Sequence, residues 1–206
     1  LLLPNYSNLN IVDLAKYLYN KYGVVYEEND NIKELKDIIP DKKHTIFILV
    51  DGMGSNLINI LNDNSILKKN KITDMITVSP SSTGCVLTSL ATATYPSEHG
   101  IIGWYNYNRK HNIDYYSLLF TDRKLNKNLK EFDIEVGDIF KVNSKINELN
   151  VKTTVLYPDY IYDSVYSNYV ANNNIRNSYT TMEDAFNQIL EITSSDDKTF
   201  TYLYLP

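Results

Sequence analysis

An acidic residue ends the most apolar run of the chain, and glycines follow it. Asp51 comes directly after residues 46–50, and Gly52 and Gly54 stand on either side of Met53. A carboxylate at the end of a buried strand can bind a ligand there, and glycine lets the backbone turn tightly beside it. The alternative is structural, because Asp-Gly is a common turn pair and an Asp can cap the next helix. The spacing alone leaves both interpretations open.

A cluster of hydroxyl residues forms the second candidate for chemistry. Ser81, Ser82 and Thr83 follow Pro80 and precede a run of small and apolar residues. We predict a helix here, with one apolar face formed by Val86, Leu90 and Ala93. A hydroxyl at a helix start lies beside free backbone N–H groups and suits an anion such as phosphate. A metal ion nearby would make that hydroxyl a nucleophile, whereas the structural alternative is an ordinary N-cap.

The elements that must position these residues alternate along the chain. Apolar spacing predicts helices over 11–22 and 57–61, and β-rich runs predict strands over 44–50, within 72–78, over 151–156 and over 199–205. The run 44–50 is continuously apolar from Ile46, which is typical of a strand covered on both faces. Strand and helix alternation predicts an open, mostly parallel α/β sheet sandwiched by helices. Asp51 would then lie at its carboxyl edge, where ligands bind in such sheets.

Two further helices are predicted from capping signals. Asp138 can cap a helix over 138–149 whose apolar residues share one face: Ile139, Val142, Ile146 and Leu149. Thr180 and Glu183 form a capping-box signature for a later helix. The residues predicted to point inward from that helix are Met182, Phe186, Ile189 and Leu190.

Composition excludes several classes of function. The formal charge of the 206 residues is -5 and the pI is about 5.2, so we expect no nucleic-acid binding surface. The basic run Lys68, Lys69 and Lys71 is interpreted as a solvated helix end. Cys85 is the single cysteine, which excludes an intramolecular disulfide. We interpret it as a small buried packing residue, with a catalytic thiolate as the alternative.

Domain and membrane signals are sparse. The opening run Leu1 to Pro4 is too short for a signal segment or a membrane span, and no later apolar run reaches spanning length. We therefore expect a soluble protein without a membrane segment; the absence of a visible signal favours the cytoplasm, and the compartment stays open. No repeat or flexible linker divides the chain, so residues 1–206 are predicted to form a single domain.

Two stretches resemble a known family. F-I-L-V-D-G-M-G and, later, P-S-S-T-G-C-V-L-T-S-L-A-T-A-T-Y-P-S-E-H-G-I-I-G-W are similar to the type I phosphodiesterase/nucleotide pyrophosphatase branch of the alkaline phosphatase superfamily. The resemblance implies an alkaline phosphatase-like fold, with Asp51 as a metal ligand and Thr83 as both nucleophile and metal ligand. Ser82 is the substitute if the alignment shifts by one residue. The P-x-x-H-G motif of the family falls on Pro96 to Gly100.

The same resemblance shows two departures. Gly84, Cys85 and Val86 stand where the family's best-studied members have an aromatic residue, a proline and a phosphate-binding asparagine. Backbone N–H groups after Thr83 would then carry more of the oxyanion stabilisation. The family also binds two divalent metal ions, usually Zn with Mn or Mg as alternatives, through ligands of which most would lie beyond residue 206. We therefore expect the N-terminal part of the catalytic domain, inactive by itself.

The remaining candidates are histidines and aromatic residues. His99 belongs to P-x-x-H-G and is predicted to be a structural hydrogen bonder, and His44 and His111 are assigned no role. One Asp without a convergent histidine does not make a zinc site. The segment from Trp104 to Tyr116 is rich in aromatics; we interpret it as a partly buried hairpin, with a surface that stacks a nucleotide base as the alternative.

The sequence thus predicts a metal-dependent phosphoester hydrolase with a threonine nucleophile at a two-metal site. Its expected partner is a small-molecule phosphoester, with nucleotides among the candidates; the oligomeric state is not determined. The alternatives are a phosphomonoesterase, sulfatase or phosphomutase-like enzyme of the same superfamily. A non-catalytic anion-binding or interaction domain is the alternative from a different class.

Overall fold

A computed structural model describes residues 4–206, so most of the apolar opening run, Leu1 to Leu3, lies outside the described residues. The helices are α1 (Ile11–Asn20), α2 (Asp30–Ile38), α3 (Ser55–Ile60), α4 (Ile66–Lys69), α5 (Thr83–Thr92), α6 (Pro96–His99), α7 (Val136–Ile139), α8 (Asp159–Tyr162), α9 (Val165–Ala171) and α10 (Met182–Thr193). The strands are β1 (His44–Val50), β2 (Tyr105–Asn108), β3 (Ile113–Tyr116), β4 (Thr121–Asp122), β5 (Lys152–Pro158), β6 (Ile175–Tyr179) and β7 (Thr199–Leu205). Across the described residues, no helix is long and apolar enough to cross a membrane.

The central sheet is parallel and has the strand order β1-β7-β5-β6. A small antiparallel sheet, β2-β3-β4, lies beside it. Helices cover both faces of the parallel sheet, because alternate residues of each strand point to opposite sides and both sides carry apolar residues. The predicted fold class, an α/β protein with a mostly parallel sheet flanked by helices and consistent with the alkaline phosphatase-like fold, is confirmed.

One face of the sheet carries most of the core. Phe200, Tyr202 and Tyr204 of β7 point toward the layer that contains α1, α5 and α9, and all three belong to the main buried cluster. Tyr19 of α1 is buried there and donates its hydroxyl to the carbonyl of Leu90 at 2.6 Å. Because a buried hydroxyl without a partner is costly, this bond fixes α1 against α5. The layer therefore holds α5, which begins at Thr83, in a defined place on the sheet.

The predicted strand over 44–50 is confirmed, but its burial was predicted wrongly. On the face shared with α10, Ile46, Ile48 and Val50 are 41, 40 and 39 % exposed. The reason is position: β1 is an edge strand that pairs only with β7, whereas β7 is interior and keeps both faces buried. A continuous apolar run indicates that both faces are apolar, not that both are covered.

The helix predicted over 138–149 is also wrong. The chain is helical only in α7, then irregular, with a 3₁₀ turn at Lys145–Glu148. The predicted burial holds for Ile139, Ile146 and Leu149. Tertiary hydrogen bonds replace the helical ones, since Tyr169 donates its hydroxyl to the Val142 carbonyl at 2.5 Å. These apolar residues are therefore buried at helical spacing although the backbone that carries them is not helical.

Two smaller predictions need correction. Residues 72–78 form no strand; Ile76 forms an isolated bridge to Asn10, because its backbone bonds to Leu9 and Ile11 before and at the start of α1 and not to the sheet. In α10 the cap is Thr181, which accepts from the N–H of Asp184, one residue later than predicted. The residues that face inward are Ala185 and Ile189. The residues predicted inward but found exposed are Met182, Phe186 and Leu190.

Candidate active site

The structure brings the acid at the strand end and the hydroxyl at the helix start together. The N–H of Asp51 continues the pairing of β1 by donating to the Leu205 carbonyl at 2.8 Å, so this residue stands at the carboxyl edge of the sheet. Gly52 follows with φ +70°, a conformation that glycine adopts without strain. Thr83, the first residue of α5, donates its hydroxyl to Asp51 Oδ2 at 3.1 Å. The predicted pair therefore forms a direct contact in the fold.

Tyr204 is a third member of this group, and the sequence analysis did not identify it. Its hydroxyl donates to the same Asp51 Oδ2 at 2.9 Å. Burial, followed by the hydrogen bond and charge of Asp51, raises the pKa of Tyr204, so the phenol remains protonated and remains a donor. The alternation of Y-L-Y-L in β7 indicated that Tyr202 and Tyr204 share a face, but not that β7 lies next to β1.

Asp51 and Gly52 form the turn that was one structural alternative, whereas the capping alternatives for Asp51 and Thr83 are not observed. Asp51 does not cap α3, whose N-cap is Gly54 without a side-chain cap bond. Ser82 is the N-cap of α5, and its hydroxyl donates to Cys85 Sγ at 3.1 Å instead of capping the helix or contacting Asp51. The hydroxyl that faces the carboxylate is thus that of Thr83.

A cavity of about 490 Å³ opens beside Thr83. The start of α5, the carboxyl ends of β5 and β7, α8 and α9 enclose it, and Trp104 and Leu119 come from the segments around the antiparallel sheet. Both Thr83 and Tyr204 contribute to its wall. Its volume lies within the ~300–1,000 Å³ range of small-molecule sites. The hydroxyl of Thr83 is therefore accessible to a ligand held in this cavity.

The oxygen atoms of this site match part of a divalent-cation shell. Asp51 and Thr83 supply one carboxylate and one hydroxyl, which are donor types that divalent cations accept. Catalytic zinc usually has about three protein ligands. Within residues 4–206, no group of three or more His, Cys, Asp or Glu residues is placed to hold a metal ion. The donors present are thus of the right kind and fewer than a complete catalytic site requires.

The other predicted residues lie outside this group. Cys85 is fully buried, and burial raises the pKa of its thiol, which fits the packing interpretation and not a thiolate. His44 pairs with Thr199 Oγ1 at the amino end of β1, the end opposite Asp51. In the basic run, Lys69 and Lys71 are exposed as predicted, whereas Lys68 is half-buried and its ammonium donates to the Asn59 and Leu61 carbonyls. The aromatic segment forms the predicted hairpin, β2 with β3, and Trp104 precedes it.

The comparison with protein families gives one match. The family model for type I phosphodiesterase / nucleotide pyrophosphatase matches residues 45–206. The chain belongs to this family. Its members, part of the alkaline phosphatase superfamily, hydrolyse phosphodiester and pyrophosphate bonds and are generally metal-dependent. No curated protein and no solved structure matches the chain.

The P-x-x-H-G motif of this phosphodiesterase-family chain has a structural role at its histidine. His99 is 1 % exposed. Its Nδ1 accepts the N–H of Ile101 at 3.1 Å, so the ring proton is on Nε2, which donates to Ser89 Oγ at 2.9 Å. Burial lowers the pKa of His99 to about 4, because a charged imidazolium would lose its hydration there. The prediction of a structural hydrogen bonder is confirmed, and the motif joins α6 to α5.

This histidine makes the stability of the family member depend on pH. An unfolded His99 takes up a proton below the ordinary histidine value of about 6.5, whereas the folded one does so only near 4. The unfolded state therefore binds more protons between these values, and the free energy of unfolding should fall by up to about 3 kcal/mol as pH drops through them. Urea titrations of the wild type and His99→Gln at several pH values measure this. Equal pH slopes for the two proteins would contradict the assignment.

Gly84, where this chain departs from the family pattern, is closely packed. A Cβ on Gly84 would lie 3.1 Å from the Gly103 carbonyl oxygen and 3.4 Å from Ser117 Oγ. An aromatic side chain at this position does not fit in this space, because the Gly103 backbone occupies it. The close approach places the segment before β2, including Trp104, against the start of α5.

Gly84→Ala should destabilise the protein relative to a matched substitution. Gly137 is the second residue of α7 as Gly84 is of α5, and a Cβ there meets nothing within 4 Å. Alanine gains roughly 1 kcal/mol of helix propensity at either position, but at Gly84 overpacking costs roughly 1–3 kcal/mol. Chemical denaturation should therefore find Gly84→Ala less stable than Gly137→Ala. Equal stabilities would show that the Gly103 carbonyl moves away without cost.

Proposed function

We propose that this protein is a phosphodiester or pyrophosphate hydrolase in which Thr83 is the nucleophile. The observation that carries the proposal is the hydrogen bond from Thr83 Oγ1 to Asp51 Oδ2, at the start of a helix and the edge of a parallel sheet. Membership of the phosphodiesterase family supports the reaction class. An adjacent carboxylate is one of the ways in which a hydroxyl is activated.

The reaction can be written with residues of this chain. Thr83 Oγ forms a bond to phosphorus while the bond from phosphorus to the leaving oxygen breaks, and Asp51 accepts the hydroxyl proton. The leaving oxygen takes a proton from solvent. Water then attacks phosphorus and the bond from phosphorus to Thr83 Oγ breaks, which releases a phosphate monoester from a diester substrate. Asp51 returns its proton to Thr83 Oγ, and the proton that water loses goes to solvent. Tyr204 acts as a positioning residue, because its hydroxyl fixes the acceptor oxygen of Asp51.

Backbone groups at the start of α5 would stabilise the charge on the phosphoryl oxygens. The first turn of a helix has N–H groups without intrahelical partners, and those of Gly84 and Cys85 belong to the first turn of α5. These donors and the helix dipole favour an anion beside Thr83. They would take the place of the phosphate-binding asparagine, because Val86 stands at its position in this chain.

Divalent cations complete the proposed site, which is a two-metal site with zinc as the first candidate and Mn or Mg as alternatives. Asp51 and Thr83 would hold a cation through their oxygen atoms. A bound cation supplies positive charge that lowers the pKa of a hydroxyl and offsets the charge of the phosphate.

Substrates and metals test the proposal together. The protein expressed at its natural length is assayed with bis(p-nitrophenyl) phosphate, p-nitrophenyl phosphate and p-nitrophenyl sulfate. We expect kcat/KM for the diester to exceed the others by about tenfold or more. A preference for the monoester or sulfate would support the alternatives within the superfamily. No turnover of any substrate would support a non-catalytic anion-binding domain.

Metal removal is expected to abolish diester hydrolysis. Dialysis against a chelator should take the activity to background because the nucleophile loses its cation, and zinc, manganese or magnesium added back singly should restore it. The metal that restores most activity identifies the preferred one. Full activity after dialysis that leaves no detectable metal would contradict a metal-dependent site.

We propose that residues 1–206 form one domain and that the partner is a small-molecule phosphoester. Helix α1, which precedes the matched region, shares a buried cluster with α5 and β7. That shared core supports a single domain, since separate domains have separate cores.

A further inference from the structure

The stretch of chain that leads into α5 is bonded to residues 6–12. The N–H of Ile76 donates to the Leu9 carbonyl at 2.8 Å, and the Ile76 carbonyl accepts the N–H of Ile11 at 3.1 Å. Both backbone groups of Ile76 are therefore paired with this earlier part of the chain. These two bonds fix the position from which the chain continues toward Thr83.

Tyr6 contacts the same stretch closer to Thr83. Its hydroxyl accepts the N–H of Ser79 at 2.8 Å. Its ring packs on the ring of Tyr95, with 4.7 Å between the two centroids, and Tyr95 follows the end of α5. The side chain of Tyr6 therefore contacts residues on both sides of α5 in the chain.

A small buried cluster also joins α1 to residues on both sides of Thr83. Val12 is fully buried and clusters with Val78, which precedes the hydroxyl residues, and with Cys85, in the first turn of α5. Close packing leaves such side chains little room to move. The turn between Val78 and Cys85, which contains Thr83, is thus held at both of its ends.

Buried polar contacts fix the start of α1 itself. Asp13 is 2 % exposed, and its carboxylate accepts hydrogen bonds from the amides of Asn10, Asn31 and Asn29 at 2.6, 2.7 and 3.0 Å. A buried carboxylate is costly unless it is hydrogen-bonded, and these three amides provide the bonds. Asn29 and Asn31 lie at the start of α2. Residues 6–12 are therefore attached to a helix start that is fixed against α2.

We propose that residues 6–12 position Thr83 for the reaction and that Tyr6 acts as a positioning residue through Ser79. This segment precedes residues 45–206, the part of the chain that matches the phosphodiesterase family. The inference rests on the proposed function, in which Thr83 Oγ attacks phosphorus. Misplacement of a reacting group by about 1 Å can cost on the order of 10²-fold in rate. Loss of the Tyr6 contact should therefore lower kcat and leave KM nearly unchanged.

Tyr6→Phe and Tyr17→Phe form a matched pair of variants. Each removes one hydroxyl: that of Tyr6 accepts the N–H of Ser79, whereas that of Tyr17 donates to the Ile39 carbonyl at 2.7 Å, after α2. The assay uses bis(p-nitrophenyl) phosphate and the protein at its natural length, with metal present. We expect Tyr6→Phe to lower kcat by about 3- to 10-fold, with KM within about twofold of the wild type.

Tyr17→Phe should lower the midpoint of chemical denaturation, because it also removes a hydrogen bond. It should leave kcat and KM at their wild-type values, since its bond does not reach the chain that leads into α5. A loss of kcat in Tyr6→Phe alone therefore separates positioning of Thr83 from a general loss of stability.

Hydrogen exchange gives a second readout, which requires no turnover. Peptides that cover residues 76–86 should exchange faster in Tyr6→Phe than in the wild type, because Ser79 has lost its partner. The same peptides should exchange at the wild-type rate in Tyr17→Phe. Peptides from β5 and β7 should be unchanged in both variants.

Wild-type kcat in Tyr6→Phe, equal losses of kcat in the two variants, or unchanged exchange over residues 76–86 would overturn the inference. These outcomes differ from failure of the proposed function. If Thr83→Ala retains turnover while Tyr6→Phe lowers kcat and speeds exchange, only the nucleophile assignment is wrong. If Thr83→Ala loses turnover while Tyr6→Phe keeps the wild-type kcat, only the positioning role of residues 6–12 is wrong.

Discussion

Replacement of Thr83 by alanine is expected to lower kcat/KM for bis(p-nitrophenyl) phosphate by on the order of 10⁴-fold. The substitution removes the oxygen that would attack phosphorus, and with it the hydrogen bond to Asp51. A 10⁴-fold loss corresponds to about 5 kcal/mol of transition-state stabilisation. The measurement is steady-state hydrolysis by the protein at its natural length, with metal present.

Two variants control for damage to the helix start. Thr83→Ser keeps a hydroxyl and should retain activity within about tenfold. Ser82→Ala removes the neighbouring hydroxyl, which donates to Cys85 Sγ and not to Asp51. It should therefore leave kcat/KM close to the wild-type value. A large loss for Ser82→Ala with a small one for Thr83→Ala would assign the nucleophile to Ser82.

Asp51→Asn should have the second largest effect, a loss of roughly 10²–10⁴-fold in kcat/KM. The amide has the shape of the carboxylate but lacks its charge, so it neither accepts the Thr83 proton nor attracts a cation. Calorimetric titration with the preferred metal should find a lower affinity in this variant. Unchanged affinity and turnover would reduce Asp51 to a turn residue, which is the structural alternative.

Tyr204→Phe distinguishes the effect of the Asp51 charge from the effect of the position of its carboxylate. This variant removes one hydrogen bond to Asp51 Oδ2 and leaves the carboxylate in place. A hydrogen bond to a charged group is worth about 1.5–3 kcal/mol, so we expect a loss of about 10- to 100-fold, smaller than that of Asp51→Asn. A loss as large as that of Asp51→Asn would make Tyr204 a participant in the reaction itself.

The sequence predicted the positions of β1 and β7 better than it predicted which of their faces are covered. The β-rich run over 199–205 matches β7, and the run over 44–50 matches β1. Both have apolar residues on both faces, yet only β7 is covered on both. Strand order decides this difference, and strand order depends on pairings between residues far apart in the chain, such as Val50 with Leu205.

Helix prediction failed where side chains replaced helical hydrogen bonds. The spacing of Ile139 and Ile146 predicted their burial but not the local backbone, because Tyr169 and Ser144 provide the bonds that hold this segment. In α10, the apolar stripe was wider than the face that the sheet covers. Local pattern therefore predicted which residues are apolar, and packing selected which of them lie inside.

The central pair of the site was predicted from the family resemblance together with strand-end geometry, and its direct contact needed the fold. Asp51 and Thr83 come from separate elements, which only the shared carboxyl edge of the sheet and the start of α5 bring within 3.1 Å. Tyr204 was missed because its relevance depends on β7 lying beside β1. The cavity was missed for the same reason, since its wall combines four distant segments.

The most direct test of the account is the identification of the residue that carries the phosphoryl group during turnover. Rapid acid quench of the metal-loaded protein with a phosphodiester, followed by peptide mass spectrometry, locates that residue. We predict an adduct on Thr83 that is lost in Thr83→Ala. An adduct on Ser82 or on any other side chain, or turnover that persists in Thr83→Ala, would contradict the assignment of Thr83 as the nucleophile.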